Sequence, residues 1–174
     1  MQVFLTGATG FIGSRVLREL IDAGHQVLGL TRSDTGARRL EEAGARAHRG
    51  TLEDIESLAR GAAQADAVIH TAFDHDFSRF AENCEKDRRV IGAMAEALVG
   101  SDRPLIITSS TGIGNTTPGQ PAVEQAVDWA TRSLASQANG QASKQRARVC
   151  RSRWFAFPRC TIPRSRGSSR RSSR

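Results

Sequence analysis

The chain opens Met1-Gln-Val-Phe-Leu-Thr-Gly-Ala-Thr-Gly-Phe-Ile-Gly13, and the fold is read outward from this stretch. Residues 2–5 form a short apolar run suited to a strand. Gly7, Gly10 and Gly13 follow at the spacing G-x-x-G-x-x-G, and residues 14–23 continue with helical periodicity. Strand, glycine turn and helix in that order place unpaired backbone N–H groups and the positive end of a helix where a pyrophosphate can sit. Gly7 allows the tight turn, Gly10 admits the backbone to the phosphates, and Gly13 lets helix and strand pack closely.

Strand and helix patterns then alternate, the signature of βαβ units and a parallel sheet. Residues 26–30 read as a second strand, 35–43 as a helix and 46–48 as a short third strand. Leu52, Ile55 and Leu58 mark another helix, with a cap expected near Thr51. Residues 67–71 form a fourth strand, a long helix covers 78–99, and Pro104 precedes a fifth strand at 105–108. Two apolar stripes are expected to face the core. They are Ile12, Val16, Leu17 and Leu20 on the first helix, and Phe80, Cys84, Ile91, Met94 and Leu98 on the last. Right-handed crossovers give an α/β, doubly wound parallel sheet of about five strands, with a ligand crevice beyond the strand ends.

Thr6-Gly-Ala-Thr-Gly-Phe-Ile-Gly13 resembles the cofactor fingerprint of the extended and atypical short-chain dehydrogenase/reductases, the NAD-dependent epimerase/dehydratase superfamily. The resemblance runs to about residue 129: stretches 24–33, 68–72 and 105–110 look like that family's second, fourth and fifth strands. Residues 73–78, Phe-Asp-His-Asp-Phe-Ser, look closest to an atypical branch. The resemblance implies a Rossmann-like fold, a nicotinamide dinucleotide cofactor and a small-molecule substrate. On that basis Thr6, Gly7, Thr9, Gly10, Phe11, Ile12 and Gly13 would hold the dinucleotide. Thr51 and Leu52 would stand near its adenine, although Thr51 occupies a place where Asp is common. Thr71, Ala72 and Phe73 would flank the ribose and nicotinamide. NAD-binding relatives carry an acidic residue at the end of the second strand. Here Arg32 can pair with a 2′-phosphate, which favours NADP over NAD, with Asp34 close by as the opposing sign. His75 and Asp76 could reach the substrate mouth, but read first as a loop pair making local turn contacts.

In the family a tyrosine, lowered in pKa by a nearby lysine and the cofactor, works as acid or base beside a Ser or Thr. Ser110 matches the serine position best and Thr111 next. A strand-end hydroxyl satisfying loop backbone is the equal alternative for Ser110. The chain contains no tyrosine, and its lysines are Lys86 and Lys144. A Tyr-x-x-x-Lys pair is therefore impossible, and the chain as written is expected to be inactive. The leading expectation is an oxidoreductase by family, truncated before its substrate region. The alternative is a non-catalytic dinucleotide-binding module or redox sensor.

The net charge of +7 hides a break in composition. Residues 1–129 carry 13 Lys/Arg and 18 Asp/Glu, while 130–174 carry 12 Lys/Arg, no acid and nine serines. The chain divides accordingly into a dinucleotide-binding domain, 1–129, and an Arg/Ser-rich tail, 130–174. So polar and single-signed a tail buries too little to offset its ordering entropy, and disorder is expected. Read one nucleotide earlier, codons for residues 153–163 can spell Ser-Val-Val-Arg-Phe-Pro-Gln-Val-His-Asp-Pro, which looks like the family's sixth strand and substrate loop. The tail thus reads as the product of a frame change near residues 129–137, a reading that stop codons in the gene's upstream frame would exclude. A genuine basic arm would bind nucleic acid through its phosphates. Trp154, Phe155 and Phe157 are not interleaved with the cations, however, and the residues argue against nucleic acid as a partner. No stretch approaches a membrane span, and because Met1 leads straight into a strand no signal peptide is expected. Cys84, Cys150 and Cys160 are odd in number and widely spaced, and His25, His48, His70 and His75 make no ligand pattern. A cytoplasmic protein without a metal is expected.

Overall fold

The computed structural model describes residues 1–108 and Gly119. Strands β1 (Gln2–Thr6), β2 (Gln26–Thr31), β3 (Arg46–Arg49), β4 (Ala67–His70) and β5 (Leu105–Ile107) alternate with helices α1 (Phe11–Asp22), α2 (Asp34–Glu42), α3 (Ile55–Ala63) and α4 (Phe80–Ala97). A single 3-10 turn, Phe77–Arg79, leads into α4. The strands form one sheet in the order β3-β2-β1-β4-β5, and every pairing is parallel. The chain builds outward from β1 to β3, then returns to the other side of β1 and builds outward again. Right-handed crossovers therefore place α1 and α2 on one face and α3 and α4 on the other.

Strand alternation divides the core between those faces. Phe4 and Val68 pack with Leu58, Ala62, Val90 and Met94. Their neighbours Val3, Leu5, Ala67 and Ile69 pack with Leu17, Leu40 and Ala45. Burial on both faces is why β1 and β4 read as continuous apolar runs. At the amino edge of the sheet, Arg103 joins the ends of two helices. Its Nη1 donates to the carbonyls of Ala63 (3.0 Å) and Ala65 (2.9 Å), and its Nη2 donates to that of Ala97 (3.1 Å). A cation there satisfies carbonyls that α3 and α4 leave open and meets the negative ends of both helices.

The element order and the doubly wound sheet agree with the sequence reading, and three local features differ. Ile12 is 57% exposed and leaves the buried stripe of α1, because the first turn of that helix stands beyond the end of β1. Phe80, placed on the inner face of the last helix by its spacing, is exposed at the start of α4. The cap of α3 is Asp54, whose carboxylate accepts from Ser57 N at 2.9 Å. Thr51 Oγ1 instead accepts from Glu53 N at 3.2 Å, in the turn before the helix. A side chain one position before the first helical residue reaches the free N–H groups, and one further back does not.

Candidate functional site

The carboxyl ends of β1, β2 and β4 converge at one edge of the sheet, where β1 passes into α1 through the glycine turn. Gly7 adopts φ +70°, a left-handed conformation that suits glycine. A Cβ there would also stand 2.6 Å from Thr71 Oγ1 and 2.8 Å from Ala72 N. At Gly13 a Cβ would stand 2.0 Å from Gly7 O, so only glycine lets α1 lie this close to the turn. Gly10 is the N-cap of α1 and supplies no side-chain acceptor, and the first turn of the helix holds no acidic residue. Among the described residues the first N–H groups of α1 therefore have no side-chain cap, and no carboxylate of the helix's own first turn competes for an anion there. Thr9 and Phe11 are exposed around this opening, as is Ile12.

The end of β2 forms the second wall. Thr31 is buried, Arg32 is exposed, and Ser33 Oγ accepts from Gly36 N at 3.0 Å to cap α2. Asp34, the acidic neighbour, is held by Arg49 Nη2 at 2.9 Å. Among the described residues Arg32 has no hydrogen-bond or ion-pair partner. The loop after β3 is fixed by His48 and Ser57: His48 Nε2 lies 2.9 Å from Ser57 Oγ, and Ser57 Oγ donates to Arg49 O at 3.0 Å. Thr51 is half-buried in this loop, and the Leu52 side chain packs against the core beneath it.

The end of β4 brings together residues that spacing alone did not connect. His70 is 2% exposed, with Nδ1 2.6 Å from Thr6 Oγ1 and Nε2 2.9 Å from Asp87 Oδ1 on α4. A carboxylate only accepts, so in the neutral ring Nε2 carries the hydrogen and Nδ1 accepts from the Thr6 hydroxyl. Thr6 Oγ1 in turn accepts from Ala72 N at 3.4 Å, and Thr71 Oγ1 donates to Thr6 O at 2.8 Å. One buried chain of hydrogen bonds thereby locks the glycine turn, the loop after β4 and α4 to one another. A sequence signal for it existed: a histidine inside an apolar strand needs a buried partner, and Asp87 falls on the inward-facing side of α4 with Val90 and Met94.

Lys86 is a second connection absent from the sequence reading. Its Nζ donates to Glu53 Oε1 at 2.9 Å and to Asp74 Oδ2 at 2.8 Å, bridging the loops after β3 and β4. The lysine holds both carboxyls below the usual carboxylate range through these hydrogen bonds, and they raise its own pKa in return. A carboxyl with a depressed folded-state pKa stabilises the fold above its unfolded value, and that contribution disappears as pH falls through the folded value. The melting temperature of the wild type is therefore expected to exceed that of Lys86→Met near pH 7. The gap should close on acidification below about pH 4. Thermal melts of both proteins from neutral to acid pH check this, and a gap independent of pH would refute it.

His75 packs among aromatic rings, and Asp76 accepts from Ser78 N at 3.1 Å, a local turn contact as the sequence suggested. Ser110, Thr111 and the segment 130–174 lie outside the described residues. Among the described residues no helix is long and apolar enough to cross a membrane.

The residues present fit a dinucleotide. A Cβ would fill the turn at Gly7 and Gly13, the α1 N-terminus is bare of side-chain caps, and a cation stands at the end of β2. A parallel sheet of this order with such a turn at its centre defines an α/β dinucleotide-binding domain of the Rossmann type. The chain belongs to the NAD dependent epimerase/dehydratase family, whose family model matches residues 3–138. An uncharacterized protein of Schizosaccharomyces pombe, C2A9.02, is 54% identical over 113 residues, which are 65% of this chain and 38% of that protein. The 4-hydroxy-2-methyl-3-oxo-4-farnesyl-3,4-dihydroquinoline-1-oxide ketoreductase of Stigmatella aurantiaca is 30% identical over 123 residues, covering 61% of this chain and 37% of the enzyme. The UDP-glucose 4-epimerase of Bifidobacterium longum, solved in complex with NAD+ and UDP, superposes with a TM-score of 0.66 at 20% identity. That likeness, one of fold, covers 84% of this chain and 48% of the other. The chain spans less than two fifths of the length of the two curated relatives.

Proposed function

We propose that residues 1–129 form the cofactor-binding half of an oxidoreductase of this family, that the half prefers NADP to NAD, and that the whole protein acts on a small carbonyl compound. The observation that carries the cofactor preference is the end of β2. Arg32 is exposed there with no partner among the described residues, while Arg49 holds Asp34, the acid two positions further along the chain. A guanidinium takes a phosphate in two parallel hydrogen bonds, and a ribose 2′-hydroxyl gives it no such match. Thr6, Gly7, Thr9, Gly10, Phe11, Ile12 and Gly13 would line the pyrophosphate side. Thr51 and Leu52 would stand by the adenine, and Thr71, Ala72 and Phe73 by the nicotinamide. When bound, the nicotinamide supplies a hydride donor or acceptor. The test is Arg32→Ala with both cofactors titrated by fluorescence or calorimetry. NADP affinity is expected to fall about tenfold, with NAD affinity little changed. Equal losses for the two would remove the 2′-phosphate role.

Ser110 and Thr111 are the chain's candidates for the hydroxyl beside the reacting carbon. The sequence contains no tyrosine, so no Tyr-x-x-x-Lys pair can accompany them. The same absence favours a second reading, a non-catalytic dinucleotide-binding module or redox sensor, and assays with a panel of carbonyl substrates separate the two. Residues 130–174 are read as a basic tail produced by a frame change, with no nucleic-acid role, on a cytoplasmic protein.

A further inference from the structure

Between the glycine turn and α4 runs a wall of aromatic rings, of which dinucleotide binding accounts for Phe73 and not for His75, Phe77 or Phe80. Phe73 packs edge-on against His75, with centroids 5.5 Å apart and an angle of 82°, and lies 6.3 Å from Phe80. His75 packs on Phe77 at 6.0 Å, and Phe77 and Phe80 stack at 6.2 Å and 28°. Phe77 and Phe80 nevertheless remain 69% and 39% exposed. A contiguous exposed aromatic surface of this kind marks a place of contact.

The wall is held in place by its own loop. Asn83 Nδ2 donates to Asp76 O at 2.9 Å, Ser78 N to the Asp76 carboxylate at 3.1 Å, and Lys86 Nζ to the Asp74 carboxylate at 2.8 Å. No glycine or proline occurs from residue 71 to residue 88. A ligand would therefore meet rings already in position, at little ordering cost. The wall's position also narrows the ligand. It begins at Phe73, next to Ala72, whose backbone lies beneath Gly7, so it continues the dinucleotide cleft on the β4 side. Its charges are tied to one another: Arg79 pairs with Glu82, Lys86 with Asp74 and Glu53, and Arg88 with Glu85. A phosphate-bearing ligand would find every cation of this segment except Arg89 already paired with a carboxylate, and Arg89 lies on the exposed side of α4. A neutral ring would find stacking faces.

We infer that this wall is part of the substrate subsite and takes a neutral, apolar, ring-bearing carbonyl compound in preference to a nucleotide sugar. The inference rests on the dinucleotide reading for what lies beside the wall. The test uses the full 174-residue chain, with 2-acetylnaphthalene as probe followed by saturation-transfer NMR. NADPH fluorescence is titrated separately on the same samples. Saturable ketone binding is expected, weakened about fivefold by Phe77→Ala and by Phe80→Ala. It should be unchanged by Val99→Ala, which trims a 58% exposed apolar side chain in the turn past the far end of α4. UDP-glucose is expected not to compete. Absence of saturable binding, displacement by UDP-glucose, or equal ketone affinity in the wild type and both phenylalanine variants would overturn the inference. So would a change in sedimentation of Phe77→Ala without a change in ketone binding, since the wall would then be a contact between two copies. If NADPH fails to bind while ketone binding still depends on Phe77, the dinucleotide reading falls and the ligand class of the wall stands.

Discussion

Gly13→Ala is expected to lower the melting temperature by about 10 °C, or prevent folding, and to remove saturable NADPH binding. The new methyl would stand 2.0 Å from Gly7 O, 2.6 Å from Gly7 C and 3.0 Å from Ala8 Cα. All three are backbone atoms, so no side-chain rotation relieves the clash, and α1 must move away or the turn must open. Overpacking costs about 1–3 kcal/mol where neighbours can shift, and a backbone neighbour puts this site at the upper end. Gly10→Ala is the control. Its Cβ would meet only Gly7 O, at 3.2 Å, and its backbone has φ −81°, which alanine adopts without strain. A stability change near 0.5 kcal/mol is expected there, since nothing buried is disturbed. Thermal denaturation followed by circular dichroism separates the two, and equal losses would refute the close-approach argument.

Asp87→Leu should cost about 2 kcal/mol, because it leaves the Nε2–H of His70 buried with no acceptor. NADPH affinity should fall with it, since His70 orients the Thr6 hydroxyl and Thr6 holds Ala72 N across the base of the cleft. Asp87→Asn keeps a carbonyl oxygen for the same hydrogen bond. It should lose less than about 1 kcal/mol and retain NADPH binding, the net worth of an ordinary hydrogen bond setting the limit. Melts and NADPH titrations of both variants decide the matter. If Asn and Leu behave alike, the acceptor is not what Asp87 contributes.

The sheet was legible because its evidence is local. Each strand is a short apolar run bounded by a turn, each helix repeats at its own period, and the G-x-x-G-x-x-G spacing marks the crossing between them. The exposed Arg32 at the end of β2 was legible for the same reason. The misplacements are local as well. Ile12 and Phe80 satisfy a helical stripe by spacing, but each lies in the first turn of its helix and stays exposed, Ile12 beyond the end of β1 and Phe80 stacked on Phe77 instead of in the core. Thr51 is a good capping residue in the wrong place, and Asp54 is closer to the first free N–H groups.

Order of elements, parallel sheet, glycine turn and the absence of tyrosine could all be taken from the residues in line, because propensity, periodicity and composition act over a few positions. Which side chains meet at the cleft could not. Thr6 and His70 are 64 positions apart, His70 and Asp87 are 17 apart, and Lys86 reaches back 33 positions to Glu53. Those partners are set by parallel register and right-handed crossovers, which carry the ends of β1, β3 and β4 and one side of α4 to the same edge. Once there, burial forces each polar group to find a partner, and the folded chain supplies the one within reach.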